Sequence, residues 1–282
     1  MGSSSAFATL APWLAQLSDR FPGVEDLNLL FDGRVVNEQG APLRCVPPPP
    51  ADNDGYEARV FRRGELAVRP NNWHDVFNAL AWLAFPQTKR MINALHVAHL
   101  QTTGAQAPGH RAPNNIRGTP RDVLTMFDED GILVACAQPE LAELLENFRW
   151  KTLFWEQRQA VKSHMDFHIV GHALYDKMRN PFFGVTAKAL ILPVDHGYFA
   201  KSLPERMVIL DALAAEKLSD PVMLMSTQSL APLPVLGLPG WWADNERSSY
   251  YDDQRQFRPG RALGALRSPS GPRRPSVAEG VK

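Results

Sequence analysis

Three polar residues, His74, Asp75 and Asn78, stand at the head of a segment that is otherwise almost wholly apolar; from Val76 to Phe85 only Asn78 is polar. An imidazole beside a carboxylate can move a proton or hold a cation, and an amide one turn further on can orient either of them. A helix that is apolar on all sides belongs in the interior. An unpaired polar group there costs roughly 1 to 3 kcal/mol. The three side chains therefore either act on a ligand in a pocket or cap the helix and tie down neighbouring loops. A second histidine, His172, follows Gly171, a residue that lets another helix or backbone approach closely. The helix that begins near His74 is the natural candidate for that approach, and it would bring His74, Asp75 and His172 together. His164, His168 and His172 are spaced by four, which on a helix lines three imidazoles along one face. The His164/His168 pair has the spacing of helical metal sites. Met165 stands where a metalloprotease carries its glutamate, so the HExxH reading fails, and ordinary core or exposed histidines are the alternative.

The elements that must position these residues are marked by Pro, Gly and Asn. Asn71 or Asn72 caps a helix that Pro86 ends, and a second helix runs from about Thr88 to Gln101. Tyr56 to Arg62 and Glu65 to Arg69, around Arg63-Gly64, are predicted to form a hairpin leading into the cap. A second hairpin is predicted from Asp122 to Phe127 and Gly131 to Cys136, around a DED turn. Helices are expected from Pro139 to about Arg149, through the three histidines up to Asn180-Pro181, and from Pro204 to Lys217. Val185 to Val194 reads as a strand with Lys188, most simply solvated, on the same face as Thr186. The stretch Pro47 to Pro50 is a stiff spacer. Residues 102–120 read as an exposed loop, and the N-terminus as an amphipathic helix. The segment from Leu233 to Pro259 is rich in aromatics, Pro and Gly. It reads as a cover for the core or, through Asn245, Arg247 and Arg258, as a site for a small anionic ligand. The expectation is an α+β fold, a single compact domain over 1–259 of helices packed with short antiparallel hairpins. A disordered basic tail is expected over 260–282, where five basic residues meet one Glu.

Several long stretches resemble a bacterial family of unknown function, DUF 3025. They are NWHDVFNALAWLAFPQTK at 72–89, YEARVFRRGELAVRP at 56–70, RDVLTMFDEDGIL at 121–133, GHALYDK at 171–177, LPVLGLPGWWADNE at 233–246 and YYDDQRQFRP at 250–259. Val170 and Tyr175 replace a Phe and a Leu expected around GHAL. The resemblance implies a bacterial protein and a shared site, and it carries no reaction.

Composition excludes several classes. The 30 basic and 30 acidic residues of this 282-residue chain cancel, against broad nucleic-acid or membrane-surface binding. Cys45 and Cys136 lie outside any CxxC pair, which excludes a zinc ribbon or disulfide scaffold and points to a reducing cytoplasm. There is no phosphate-binding GxxxxGK[ST], no GxGxxG and no GxSxG, and DEDG lacks the spacing of a calcium loop. No motif names a cofactor, a metal or an oligomeric state. The leading expectation is a small-molecule enzyme, a hydrolase, with His74, Asp75 and His172 as acid/base or metal-holding catalytic residues and Asn78, Asn245 and Arg247 as substrate contacts. The alternative is a non-catalytic ligand- or protein-binding module in which the His/Asp/Asn cluster is structural. The expected partner is a small-molecule ligand, with no specific nucleic acid and no membrane.

Overall fold

Every residue of Gly131–Cys136 is buried, and this apolar run is the axis of the protein. A strand shielded on both faces needs no polar alternation. The computed structural model describes residues 5–48, 55–103 and 120–260. In chain order, α1 (Ala11–Leu14) and α2 (Val24–Phe31) precede β1 (Arg44–Val46), α3 (Tyr56–Arg63), β2 (Glu65–Ala67), α4 (Trp73–Ala84), α5 (Pro86–Thr103) and α6 (Pro120–Asp130). The central β3 (Gly131–Cys136) follows, then α7 (Pro139–Glu146), α8 (Arg158–His164), β4 (Met165–Ile169), α9 (His172–Arg179), β5 (Thr186–Pro193), α10 (Leu203–Ser219) and β6 (Ala231–Pro234). The main sheet has the order β4-β3-β5-β6. Strand β3 is antiparallel to β4 and parallel to β5, and β6 closes the edge antiparallel to β5. Strands β1 and β2 form a separate parallel pair.

The α+β expectation holds, but neither predicted hairpin exists. Residues 56–63 are the helix α3, and Gly64 is its left-handed C-cap at φ 67°. The glycine signal was a helix stop and not a strand turn. Residues 120–130 are likewise a helix, α6, that buries Val123, Leu124 and Phe127. The single helix expected through the three histidines is also absent. His164 ends α8, His168 lies on β4 and His172 opens α9, so no helix face carries all three. Alternation of Met165, Phe167 and Ile169 makes this stretch a strand beside β3. His168 is locked there, with Thr9 Oγ1 2.9 Å from Nδ1 and Asp166 Oδ2 2.9 Å from Nε2. This ties the N-terminal segment to the sheet. The expected tail and the loop across 104–119 lie outside the described residues, as do Pro49 and Pro50.

Two contacts fix the layer that carries the site. Asp211 of α10, almost fully buried, accepts hydrogen bonds from the amides of Gln87 (2.9 Å) and Thr88 (2.8 Å) at the start of α5. A carboxylate at a helix N-terminus meets its unpaired N–H groups and positive potential. Helices α4 and α9 pack together, with Phe77 stacked on Tyr175 at 5.7 Å between ring centres. The close approach at Gly171 is made by the α6–β3 junction rather than by α4. A side chain there would lie 2.4 Å from both the Glu129 carbonyl and the Gly131 amide. Gly171→Ala is therefore expected to cost about 1 to 3 kcal/mol, because the added methyl meets backbone and not a movable side chain. Urea unfolding of the two proteins measures it, and equal midpoints would refute the close approach.

Candidate metal centre

His74 and Asp75 occupy the first turn of α4. Asn72 caps the helix by accepting the Asp75 amide at 3.1 Å, and Asn71 supplies the left-handed turn before it at φ 54°. The Asp75 carboxylate then reaches back to β2's exit. It accepts the Arg69 amide and Nε at 2.8 Å each and Nη2 at 2.7 Å. Burial opposes its ionisation, but the Arg69 bonds outweigh it and hold the carboxyl well below the usual range.

Opposite α4, the last turn of α6 carries Asp128, Glu129 and Asp130. Three carboxylates at a helix C-terminus oppose the helix dipole, so each needs a cation or a proton donor. Lys177 of α9 pairs with Asp130. Asp128 pairs with Lys89, whose side chain is only 3% exposed and whose Nζ also donates to Asn78 Oδ1 at 2.9 Å. Burial pushes the Asp128 carboxyl up, and the charge and hydrogen bond of Lys89 lead the contacts that more than reverse this. Glu129 is the residue left between two histidines.

His74 and His172 meet edge to face at 4.4 Å between ring centres. Their Nε2 atoms both face Glu129, at 3.3 Å from Oε2 for His74 and 3.7 Å from Oε1 for His172. Their Nδ1 atoms both face an aspartate, Asp75 at 3.4 Å and Asp128 at 3.6 Å. One ligand atom from each of His74, Glu129 and His172 lies within 4.8 Å of the others. Hydrogen bonds with Asp75 and then Glu129 push His74 up to about 9. Burial pushes His172 down to about 4, and its place at the start of α9 further disfavours a cationic ring. His172 Nδ1 is buried with no hydrogen bond of its own.

Of the residues singled out in the sequence, His74, Asp75 and His172 are thus brought together. The other three are placed elsewhere. Asn78 orients neither His74 nor Asp75; it donates to the Tyr56 hydroxyl at 2.6 Å and accepts from Lys89. Asn245 is fully buried and clamps the aromatic segment, donating to the Leu236 and Leu238 carbonyls at 3.1 and 2.6 Å. Arg247 is exposed and paired with Asp244. The aromatic segment itself is a wall of the core, with Leu233, Val235, Leu236 and Tyr251 buried. Sequence reasoning missed Glu129, Asp128 and Lys89. The available signal was the DED run. Once 120–130 is read as a helix, three acids stand at its unfavourable end, a local conflict of the kind that marks functional sites.

Fold and cluster together define an α+β domain in which two histidines and a glutamate meet where α4, α6 and α9 converge beside the central strand. The chain belongs to the family of proteins of unknown function DUF3025, whose family model matches residues 46–261 and so includes every residue of the cluster. No curated protein and no solved structure gives a significant match. Among the described residues no helix is long and apolar enough to cross a membrane.

Proposed function

We propose that His74, Glu129 and His172 hold a divalent metal ion and that the protein is a cytoplasmic, metal-dependent hydrolase of a small molecule. The observation that carries this reading is the paired orientation of the imidazoles. Each turns Nε2 toward Glu129 and Nδ1 toward an aspartate. For His74 this is the carboxylate–histidine–metal arrangement, in which the outer carboxylate fixes the tautomer and raises the ligand's basicity; His172 Nδ1, 3.6 Å from Asp128, makes no hydrogen bond among the described residues. Donors about 2.0 to 2.2 Å from a tetrahedral ion stand roughly 3.3 to 3.6 Å apart; the His74 and His172 Nε2 atoms lie 3.3 Å from Glu129 Oε2 and 3.7 Å from Glu129 Oε1, and one donor atom of each residue lies within 4.8 Å of the others. Two histidines and one carboxylate leave coordination positions open, as in catalytic and not structural sites. The open side faces solvent, since the side chains of His74 and Glu129 are 34% and 39% exposed.

An ion held there would act as a Lewis acid and would lower the pKa of a water it binds to about 7. The chain's own residues do the rest. Arg69 holds Asp75 charged, Asp75 holds His74 as a ligand, and Lys89 holds Asp128 against His172. The two carboxylates around His74 keep the free ring protonated near neutral pH, so little of it is available as a general base, and an ion bound there would displace that proton. Cys45 and Cys136 are buried free thiols, which suits a reducing compartment.

The test is elemental mass spectrometry on untagged protein expressed with supplemented zinc, manganese or iron. Near one equivalent of a single metal supports the centre, and none under any supplement overturns it. Asp75→Asn is expected to keep the fold and weaken metal binding by about 10- to 100-fold, as outer-shell changes do. A competition titration against a chromogenic chelator reads the shift, and an unchanged affinity would deny Asp75 this role.

A further inference from the structure

A groove of about 1270 Å³ opens on the other side of the sheet edge, between β5, β6, the end of α10 and the aromatic segment. It is spacious enough for an organic molecule. Three of its residues, Lys188, Lys217 and Arg258, are cations that form no ion pair within 4 Å among the described residues, and Glu146 and Asp220 also line it. Lys188 is half-buried on β5, between Ala187 and Ala189 in sequence. Burial pushes its ammonium down, with Asp130 opposing, so an anion placed beside it would restore what desolvation removes.

One wall is built rather than incidental. Phe148 takes a left-handed backbone at φ 58°, a conformation that aromatic residues adopt only when their surroundings impose it. Its ring lies edge to face on Trp150 at 5.5 Å and so close to Gly260 that a side chain there would meet the ring at 2.4 Å. Trp150 Nε1 donates to the Arg258 carbonyl at 2.8 Å, which fixes the backbone of the cation beside it. Gln256, 3% exposed, accepts from the Gly184 amide at 2.6 Å and leaves its Nε2 without a partner. Aromatic rings, cations without an ion pair among the described residues and an unused amide donor therefore line one groove.

We propose that this groove binds a small organic anion, a carboxylate or phosphate carried on an aromatic or apolar body, with Lys188 and Arg258 on the charge and Phe148 and Trp150 on the body. The inference is independent of the metal centre. It predicts one saturable site for the aromatic sulfonate 8-anilinonaphthalene-1-sulfonate on the full-length protein, read by isothermal titration calorimetry. N-phenyl-1-naphthylamine, the same body without the charge, should bind at least tenfold more weakly. Lys188→Met should weaken the sulfonate at least tenfold with the thermal melt retained, and Lys162→Met, outside the groove, should not. Arg258→Met alters an exposed side chain and serves if the Lys188 variant does not fold. Absence of a saturable site, equal affinity for the uncharged analogue, or unchanged affinity in the folded groove variants would each overturn the proposal.

Discussion

Glu129→Gln is expected to empty the metal centre while leaving the protein folded. Structural zinc sites bind with about 10 to 16 kcal/mol shared among four ligands, so a lost anionic ligand removes roughly 3 kcal/mol, or about a hundredfold in affinity. Glu129 is partly exposed and its amide isostere fills the same space, so the melting temperature of the metal-free protein should change little. His172→Ala should lose the metal as fully, but with a lower melting temperature, because that ring is buried between α4 and the end of α6. Metal content and melting temperature measured on the same samples separate the two effects. A cluster that is only structural gives the opposite pattern, with destabilisation in both variants and no metal to lose.

Lys89→Met should be the most destabilising single change at the site. Lys89 is buried against Asp128, also donates to Asn78 and lies 5.8 Å from the centre of the Trp82 ring. Removing one member of a buried ion pair strands the other charge, which costs about 3 to 5 kcal/mol. Replacing both members by apolar groups often restores stability. Chemical denaturation of Lys89→Met, Asp128→Leu and the double variant forms a cycle. The double variant is expected to be more stable than Lys89→Met alone. Additive losses would show that the pair is not what the two residues contribute.

The sequence exposed the chemistry at the head of α4 because several local signals agree there: an Asn cap, an apolar run, a closing proline and polar residues where none should be. The strands β3 and β5 were legible for the same reason, as apolar runs bounded by glycine or proline. The failures share a cause. Arg63-Gly64 and the DED run were read as turns, when Gly64 stops a helix and Asp128 to Asp130 are the last turn of another. Once those stretches were assigned to turns, the segments before them became strands, and α6 lost the helical spacing of Val123, Leu124 and Phe127. That misreading also hid Glu129 and Asp128. Their meaning depends on which end of a helix they occupy and on a lysine about 40 positions earlier, and neither is a local property. Asn245 misled differently, because buried amides that bind backbone have the same composition as amides that bind ligands.

The sheet also dictates how the chain must emerge from the ribosome. Strand β3 is complete at Cys136, yet its parallel partner β5 begins only at Thr186, and at about 5 to 20 residues per second that gap takes roughly 3 to 10 s to synthesise. Throughout that interval the most apolar strand of the protein has at least one edge unpaired. Nascent chains stalled between residues 140 and 180 should therefore recruit chaperones, and slowing translation across α8 to α9 should lengthen exposure and lower the yield of soluble protein.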